Sequence, residues 1–378
     1  MKYCRICCSK LGPPLTSISK PSLTSNLAKM EIDTVIYVCK NCTHAQSRDL
    51  PNIDNYYDTE YKISLSTEEF DQLFRVKNGK NIYRTDFQAS LILKQNIKKG
   101  AKILDFGCGK ATTLKKIFFS RPDIKPYAFE VSDDYSIFWD KWIPETNQAT
   151  HSIPSEWTNN FDLIISNFVL EHVKNPVETL CVLKKLLKPS GMLVFTVPNS
   201  LQNSGDYFVI DHINKFTFSS ISKAIKIAGF DNYKILEDIF KGSFFVVVSN
   251  KEHKPKYSEL DPSKKSNDLK SVYNQLHAWD SRIKKIKNFN TKRSEFIIYG
   301  AGFYGSLYSI LLKEKPIFFL DNSKFLINEK RFGVPIIKPE NCPKKVKLLI
   351  VGLSPEKKQD LSITNSKWLP KNCKIIYF

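Results

Sequence analysis

Short apolar runs, separated by polar or glycine-containing turns, recur along most of the chain. The runs that predict buried strands span residues 103–106, 127–129, 161–167, 192–199, 244–248, 296–299 and 318–320. Apolar residues recur at helical spacing in residues 182–188 and 269–289, which lie between such runs. Strands that alternate with helices are typical of doubly wound sheets. The pattern therefore predicts an α/β protein.

The first of these strands ends in a glycine turn that has room for a ligand. The turn reads Asp105-Phe106-Gly107-Cys108-Gly109, and without side chains at the glycines a ligand can lie against the backbone, near free N–H groups of the following helix. Glu130 ends the next strand, where its carboxylate can accept hydrogen bonds from both hydroxyls of a ribose. The turn predicts an adenosine pocket; the alternative is an ordinary turn of an α/β protein.

A dinucleotide site would place a third glycine at position 112, but this residue is Thr112. Residues 161–167 predict a fourth strand buried on both faces, and residues 170–176 open the helix after it. In this order the segments resemble class I S-adenosylmethionine-dependent methyltransferases. The resemblance implies that S-adenosylmethionine is the cofactor, and it implies these binding residues: Asp105, Gly107, Gly109, Glu130 and Asn167.

Two Cys-x-x-Cys pairs near the N-terminus predict a metal site. Cys4 and Cys7 form the first pair and Cys39 and Cys42 the second, with 31 residues between the pairs. Four thiolates are a ligand set for tetrahedral zinc, and such a closed site is structural. The alternatives are that Cys8 or His44 replaces one ligand, or that the thiols are simply reduced.

Shifts in composition divide the chain into four segments. We predict a zinc-binding module over residues 1–58, the main α/β domain over 59–250, a polar linker and helix over 251–290, and a C-terminal domain over 291–378. The helix carries an apolar stripe that predicts core or interdomain packing. The stripe consists of Val272, Leu276, Trp279, Ile283 and Ile286.

The C-terminal domain begins with a strand and a complete Gly-x-Gly-x-x-Gly turn. Gly300, Gly302 and Gly305 form the turn, and Asp321 follows the next apolar run, as in a dinucleotide fold. Too few residues remain for a full dinucleotide domain, so we predict a half-size Rossmann-like domain. Its turn could still hold a substrate pyrophosphate at the helix N-terminus.

The composition and net charge of the chain limit the partners and the cellular location that we expect. The net charge is +19, which is compatible with nucleic acid, an anionic membrane or a phosphorylated substrate; the lysines are spread along the chain, which favours a solvated surface. No apolar run reaches the roughly 18 residues that span a bilayer, and we expect no secretory leader. Nine cysteines without a leader favour thiols and metal ligands. We expect a cytoplasmic monomer without nucleic-acid or membrane partners.

Across its whole length the chain resembles the three-domain sugar C-methyltransferases, which act on nucleotide-linked deoxysugars. The cysteine pairs, the aromatic segment 55–61 and segments 299–302, 319–322 and 333–336 carry the resemblance. It implies a class I methyltransferase sheet flanked by a small zinc-binding module and a Rossmann-like C-terminal domain. It also implies a phosphorylated or nucleotide-linked acceptor, a sugar or related surface-polysaccharide precursor.

The catalytic segment of that family reads Tyr-x-Glu-His, and here it is Val209-Ile210-Asp211-His212. The resemblance makes His212 the general base, oriented by Asp211, because an imidazole titrates near neutral pH. His172 and Tyr61 are the further catalytic candidates. Since the tyrosine of the motif is absent, O-methylation of a glycan or a non-sugar acceptor is an alternative to C-methylation.

Two other classes of function stand beside this one. Zinc modules also precede methyltransferase cores in RNA-modifying enzymes, but these would concentrate aromatic and arginine residues around the zinc, whereas this module has only Arg5 and Arg48. A non-enzymatic scaffold with a degenerate core is the other class. Its core would have lost residues such as Asp105 and Glu130, which are present here.

Overall fold

The computed structural model describes residues 3–51, 56–57, 71–77, 79–250, 262–291, 296–355, 363 and 366–378. These residues form two compact units that interleave along the chain. Unit 1 contains residues 1–13, 36–202 and 211–270, and unit 2 contains residues 14–35, 203–210 and 271–378. The four-segment division at residues 58, 250 and 290 stays a prediction. Tyr61 lies outside the described residues.

The N-terminal part of the chain forms short strands. They are β1 (Thr16–Ile18), β2 (Ser22–Leu23), β3 (Lys29–Met30), β4 (Thr34–Val38), β5 (Ala45–Ser47), β6 (Leu73–Lys77) and β7 (Lys80–Tyr83). Strand β4 pairs antiparallel with β5, so that Ile36 lies opposite Ser47 and Val38 opposite Ala45. Strands β6 and β7 form a separate antiparallel pair.

The centre of unit 1 is a seven-stranded sheet. The strands from this part of the chain are β8 (Lys102–Phe106), β9 (Lys125–Glu130), β10 (Gln148–Thr150), β11 (Phe161–Asn167), β12 (Leu187–Pro198), β13 (Asn214–Lys215), β14 (Asn232–Leu236) and β15 (Ser243–Ser249). The sheet order is β10-β9-β8-β11-β12-β15-β14, and β13 pairs instead with β5. Strands β8 to β12 are parallel and β15 is antiparallel to both neighbours. The order reverses between β8 and β11, where doubly wound sheets bind ligands.

Helices cover both faces of this sheet. They are α1 (Arg84–Ile92), α2 (Thr112–Ser120), α3 (Pro176–Leu186) and α4 (Phe218–Ile227). Successive side chains of a strand point to opposite faces, so Ile103 packs with residues of α1 and α2, while Leu104 packs with residues of α3 and α4. Burial on both faces explains why these strands are continuous apolar runs.

One predicted turn is replaced by a bulge. The sequence predicts a helix, a turn at Gly191 and then a strand from residue 192, but β12 begins at Leu187, directly after α3. Leu187 pairs with Phe161 and Met192 with Leu163, so the residues between them form an irregularity in the ladder. Gly191 is needed there because a Cβ would lie 2.9 Å from the Phe161 carbonyl oxygen.

The last part of the chain forms a six-stranded sheet in unit 2. Its strands are β16 (Phe296–Tyr299), β17 (Phe318–Leu320), β18 (Lys330–Arg331), β19 (Val334–Ile337), β20 (Leu348–Val351) and β21 (Lys374–Ile376). The order is β18-β19-β17-β16-β20-β21, and all pairs are parallel except β18 with β19. The first strand, β16, lies at the centre, as it does in Rossmann-like sheets.

Two more helices complete the described chain, α5 (Pro262–Asn288) and α6 (Phe303–Leu311). Helix α5 begins earlier than predicted, inside the polar linker, and Pro262 suits its first turn because the missing N–H would have no intrahelical partner. The predicted apolar stripe is confirmed as buried, since every member is at most 6% exposed. Within the described ranges, no helix has both the length and the apolarity that crossing a bilayer needs.

Candidate functional site

The turn after β8 is held against the end of β9. The N–H groups of Gly107 and Cys108 donate to the Phe129 carbonyl at 2.9 and 3.1 Å. The Gly109 N–H donates to Glu130 Oε2 at 2.7 Å. Gly107 and Gly109 have φ angles of 70° and 49°, in the left-handed region that favours glycine. These bonds bring the Glu130 carboxylate to the glycine turn, as the sequence predicts.

The two glycines have different surroundings. A Cβ at Gly107 would lie 2.4 Å from a methyl group of Val169, so no side chain fits, whereas a Cβ at Gly109 would meet nothing within 4 Å. Open space beside exposed backbone is what a ligand needs at this turn. Asp105 lies at the base of the turn and is 3% exposed.

Asn167 ends the neighbouring strand β11. Its Oδ1 accepts a hydrogen bond from Thr196 Oγ1 at 2.9 Å, which orients the amide. Its Nδ2 is buried and, among the described residues, has no hydrogen-bond partner. Since buried donors are nearly always paired, this amide is available to a ligand. Two carboxylates, an open glycine turn and an unsatisfied amide fit S-adenosylmethionine, with its hydroxyls and positive charges.

Burial changes the acidity of both carboxyl groups in this pocket. Burial, together with the nearby charge of Glu130, raises the pKa of Asp105 to about 8. Burial also raises the pKa of Glu130. A cation that enters the pocket would favour the ionised form of both groups.

A second cluster surrounds His172, in the loop after β11. His172 Nδ1 lies 2.7 Å from the Tyr57 hydroxyl and 3.1 Å from the Asp211 carbonyl oxygen. The Tyr57 hydroxyl itself donates to that carbonyl at 2.8 Å. Because a carbonyl can only accept, Nδ1 carries the proton in the neutral ring. The lone pair of His172 is therefore on Nε2.

His212 lies against His172, with the ring centroids 4.7 Å apart and the planes at 86°. One ligand atom from each of Glu171, His172 and His212 lies within 4.8 Å of the others. Glu171 is fully buried. The structure thus brings together the two predicted histidines, and the carboxylate of Asp211 lies 3.9 Å from His172 Nδ1. The predicted role of His212 as the base stays a prediction.

Tyr57 and Glu171 are site residues that the sequence pattern does not single out. Tyr57 belongs to the aromatic segment 55–61, in which the catalytic candidate is Tyr61. Glu171 directly precedes His172 in the chain, and this adjacency was the available signal. Both became visible only when the loops after β11 and β12 came together.

The four predicted zinc ligands form one cluster. Cys4 Sγ is 3.5 Å from Cys42 Sγ, and Cys7 Sγ is 3.5 Å from Cys39 Sγ. All four sulfurs lie within 4.8 Å of one another, close to the spacing of about 3.8 Å that zinc–sulfur bonds of about 2.3 Å require. Hydrogen bonding with Cys4, and to a smaller extent with Cys42, lowers the pKa of Cys39. The residues fit structural zinc, and Cys8 is exposed.

This cysteine cluster is attached to the segment that follows His212. Arg5 Nη1 donates to the Ile213 carbonyl at 2.6 Å, and β5 pairs with β13, which places Gln46 opposite Asn214. His44 Nε2 lies 3.2 Å from Asn214 Oδ1. His44 is an uncharged structural residue, because burial lowers its pKa to about 3.

The C-terminal glycine turn is tightly packed. A Cβ at Gly305 would lie 1.9 Å from the Gly300 carbonyl oxygen. Asp321 Oδ2 accepts a hydrogen bond from the Ala301 N–H at 2.8 Å, which matches the arrangement of Glu130 and Gly109. The predicted use of this turn for a pyrophosphate stays a prediction.

Comparisons with known proteins concern the centre of the chain. Residues 82–235 match the family described as methyltransferase domain. The mitochondrial ubiquinone biosynthesis O-methyltransferase of Schizosaccharomyces pombe is 28% identical over 149 residues, which cover 38% of this chain and 54% of that protein. The carboxy-S-adenosyl-L-methionine synthase of Campylobacter fetus is 29% identical over 126 residues, which cover 30% and 52% of the two chains.

The chain thus spans about half the length of these two curated relatives. A solved S-adenosylmethionine-dependent methyltransferase from Aquifex aeolicus is 20% identical, with a TM-score of 0.34, over 43% of this chain and 89% of that chain. In this chain the strand order, with the parallel strands β8 to β12 and the antiparallel β15, forms a doubly wound α/β sheet. Residues 82–235 therefore match a methyltransferase domain, and the seven-stranded sheet to which they contribute has a Rossmann-like fold.

Proposed function

We propose that this protein is an S-adenosylmethionine-dependent methyltransferase that acts on a nucleotide-linked sugar or a related surface-polysaccharide precursor. The supporting observation is that the glycine turn and the two histidines follow β8, β11 and β12 of one parallel sheet. The carboxyl ends of parallel strands share an edge, where such sheets bind their ligands. A donor site and a base site on the same edge are what methyl transfer requires.

Each group then has a role. Glu130 accepts hydrogen bonds from the donor's ribose, and Asp105 supplies negative charge at the base of the glycine turn. S-adenosylmethionine, when bound, supplies a methyl group on a sulfonium that a nucleophile can attack. His212 takes the proton from the acceptor as the acceptor attacks. His172, held by Tyr57 and the Asp211 carbonyl, positions the His212 ring by edge-to-face contact.

The acceptor is proposed from the resemblance to the sugar C-methyltransferases and from the net charge of +19. A basic protein favours a phosphorylated acceptor through long-range attraction. RNA is the weaker candidate, because Arg5 is 6% exposed and is paired with Asp49. This arginine of the cysteine module is not presented to a nucleic acid.

O-methylation is a second candidate, supported by one observation. The tyrosine absent at position 209 is not replaced by Tyr57, because Tyr57 directs its proton to the Asp211 carbonyl. Tyr57 then cannot donate that proton to an enolate, the intermediate of C-methylation beside a keto group. Deprotonation of a hydroxyl by His212 needs no such donor.

A panel of nucleotide-linked sugars and glycans, incubated with donor that carries an isotopically labelled methyl group, tests the proposal. We expect labelled product from a nucleotide-linked sugar, and fragmentation in the mass spectrometer places the methyl on carbon or on oxygen. Products from RNA, and none from sugars, would contradict the proposed acceptor.

The substitution Glu130→Ala is expected to weaken binding of S-adenosylmethionine by about ten-fold or more. It removes charge-assisted hydrogen bonds to the ribose, each worth roughly 1.5–3 kcal/mol. Isothermal titration calorimetry measures the effect, with the exposed Glu145→Ala as a matched control that keeps wild-type affinity. An unchanged affinity of Glu130→Ala for S-adenosylmethionine would contradict the assignment of Glu130 to the donor pocket.

Donor affinity is also expected to rise with pH up to about pH 8. Asp105 is largely protonated below its raised pKa of about 8, and a cationic donor prefers the carboxylate, so binding releases a proton. The gain is at most about ten-fold per pH unit. Calorimetry in buffers with different ionisation enthalpies counts the released protons, and Asp105→Asn abolishes the release. A proton count of zero in the wild-type protein would contradict this prediction.

A further inference from the structure

In addition to the four cysteines, unit 1 contains a second cluster of side chains that could bind a metal ion. The cluster is formed by Glu171, His172 and His212, whose ligand atoms lie within 4.8 Å of one another. A tetrahedral zinc site with Zn–N bonds of about 2.0–2.1 Å places its ligand atoms about 3.4 Å apart. The three ligand atoms therefore lie near the spacing that one ion requires.

The orientation of His172 matches that of a metal ligand. Histidines that bind metals donate their other ring N–H to a carbonyl, carboxylate or water, and this fixes the tautomer. The Nδ1 of His172 makes such contacts, to the Asp211 carbonyl at 3.1 Å and to the Tyr57 hydroxyl at 2.7 Å. In this tautomer Nε2 is the ring nitrogen that can coordinate a metal ion.

The ligand set selects the kind of ion. Two imidazoles and one carboxylate suit first-row divalent transition metals such as Zn²⁺, whereas Mg²⁺ and Ca²⁺ prefer oxygen ligands. Glu171 is fully buried, and a bound cation stabilises the ionised form of a buried carboxylate. Three protein ligands leave one position open to water.

We propose that Glu171, His172 and His212 form a second metal site that takes Zn²⁺, and that its occupation inhibits methyl transfer. The proposal that this site binds Zn²⁺ depends only on the geometry, whereas the proposal that Zn²⁺ inhibits methyl transfer rests on the proposed function. Coordination uses the lone pair of His212 that would accept the acceptor's proton, and one lone pair cannot do both. The metal and the acceptor proton thus compete for the same atom.

Zinc content measured by plasma mass spectrometry after equilibrium dialysis against Zn²⁺ tests the binding. We expect two zinc ions per wild-type chain, one per chain in His212→Gln and in His172→Gln, and two in the exposed control His277→Gln. In parallel, Co²⁺ added to protein that holds one zinc ion per chain should give the visible absorption of a nitrogen- and oxygen-ligated site. Circular dichroism establishes that each variant is folded.

One zinc per wild-type chain at saturating Zn²⁺, with no cobalt spectrum, would overturn the site. Two zinc ions with unchanged or increased methyl transfer would overturn the inhibition and also the role of His212 as base. Because metal binding is measured without donor or acceptor, failure to find a methylated product leaves the binding result intact. The two failures are therefore distinguishable.

Discussion

We expect the substitution His212→Gln to lower the turnover of methyl transfer by roughly 10²–10⁴-fold, the usual contribution of a positioned general base. Glutamine is similar in size and polarity but cannot accept the proton from the acceptor. Donor affinity should stay at the wild-type level, because the proposed adenosine pocket consists of other residues, Asp105, Gly107, Gly109 and Glu130. Single-turnover kinetics with saturating donor and acceptor, together with calorimetry of donor binding, measure the two effects separately.

The control is His277→Gln, the same substitution at an exposed position of α5, which should leave turnover unchanged. His172→Gln is expected to have a smaller effect, because His172 acts through the ring of His212. Near wild-type turnover in His212→Gln, together with a large loss in His172→Gln, would transfer the role of base to His172. Its Nε2 lone pair makes it the next candidate.

The substitution Cys39→Ser is expected to release the zinc of the cysteine cluster and to destabilise unit 1. Structural zinc in small modules contributes roughly 10–16 kcal/mol of apparent binding free energy at neutral pH, and this energy is coupled to folding. The loss should extend beyond the cluster, because Cys4, Cys39 and Cys42 pack in the same hydrophobic cluster as Phe216 and Ile221. Metal analysis and thermal unfolding measure the two consequences.

Turnover should also fall in Cys39→Ser, since Arg5 and β5 hold the residues that directly follow His212. The matched control is Cys8→Ser, which removes an exposed thiol from the same module and should keep both zinc and activity. Wild-type protein without zinc after metal-free purification would contradict the assignment. So would loss of zinc in Cys8→Ser, since Cys8 would then be a ligand.

Much of the core could be predicted from the sequence because it depends on local patterns. Residues 161–167 form a strand over the predicted range, Glu130 ends its strand, and the stripe of α5 is buried. In each case the periodicity of apolar residues sets the element and its buried face. The bulge after Leu187 was missed because it depends on the partner strand, where Phe161 and Leu163 fix the register.

The candidate site likewise has one part that the sequence predicts and another that it does not. The glycine turn is a local structure, since the backbone conformation and the spacing to Glu130 are set within one βαβ unit. The contact of His172 with Tyr57 and with the Asp211 carbonyl joins residues that are 115 and 39 positions apart. Such contacts have no periodic signal in a single sequence.

By itself the sequence determined the α/β class, the glycine turn with Glu130 and the two cysteine pairs, because residues a few positions apart specify each turn and the glycines permit its backbone. Only the tertiary structure decided that the cysteine module packs with the methyltransferase core. It also decided that residues 203–210 group with the C-terminal unit, and that Glu171 joins the two histidines. Packing between distant segments selects these arrangements. The hydrophobic free energy depends on the total apolar area removed from water and not on the order of residues along the chain.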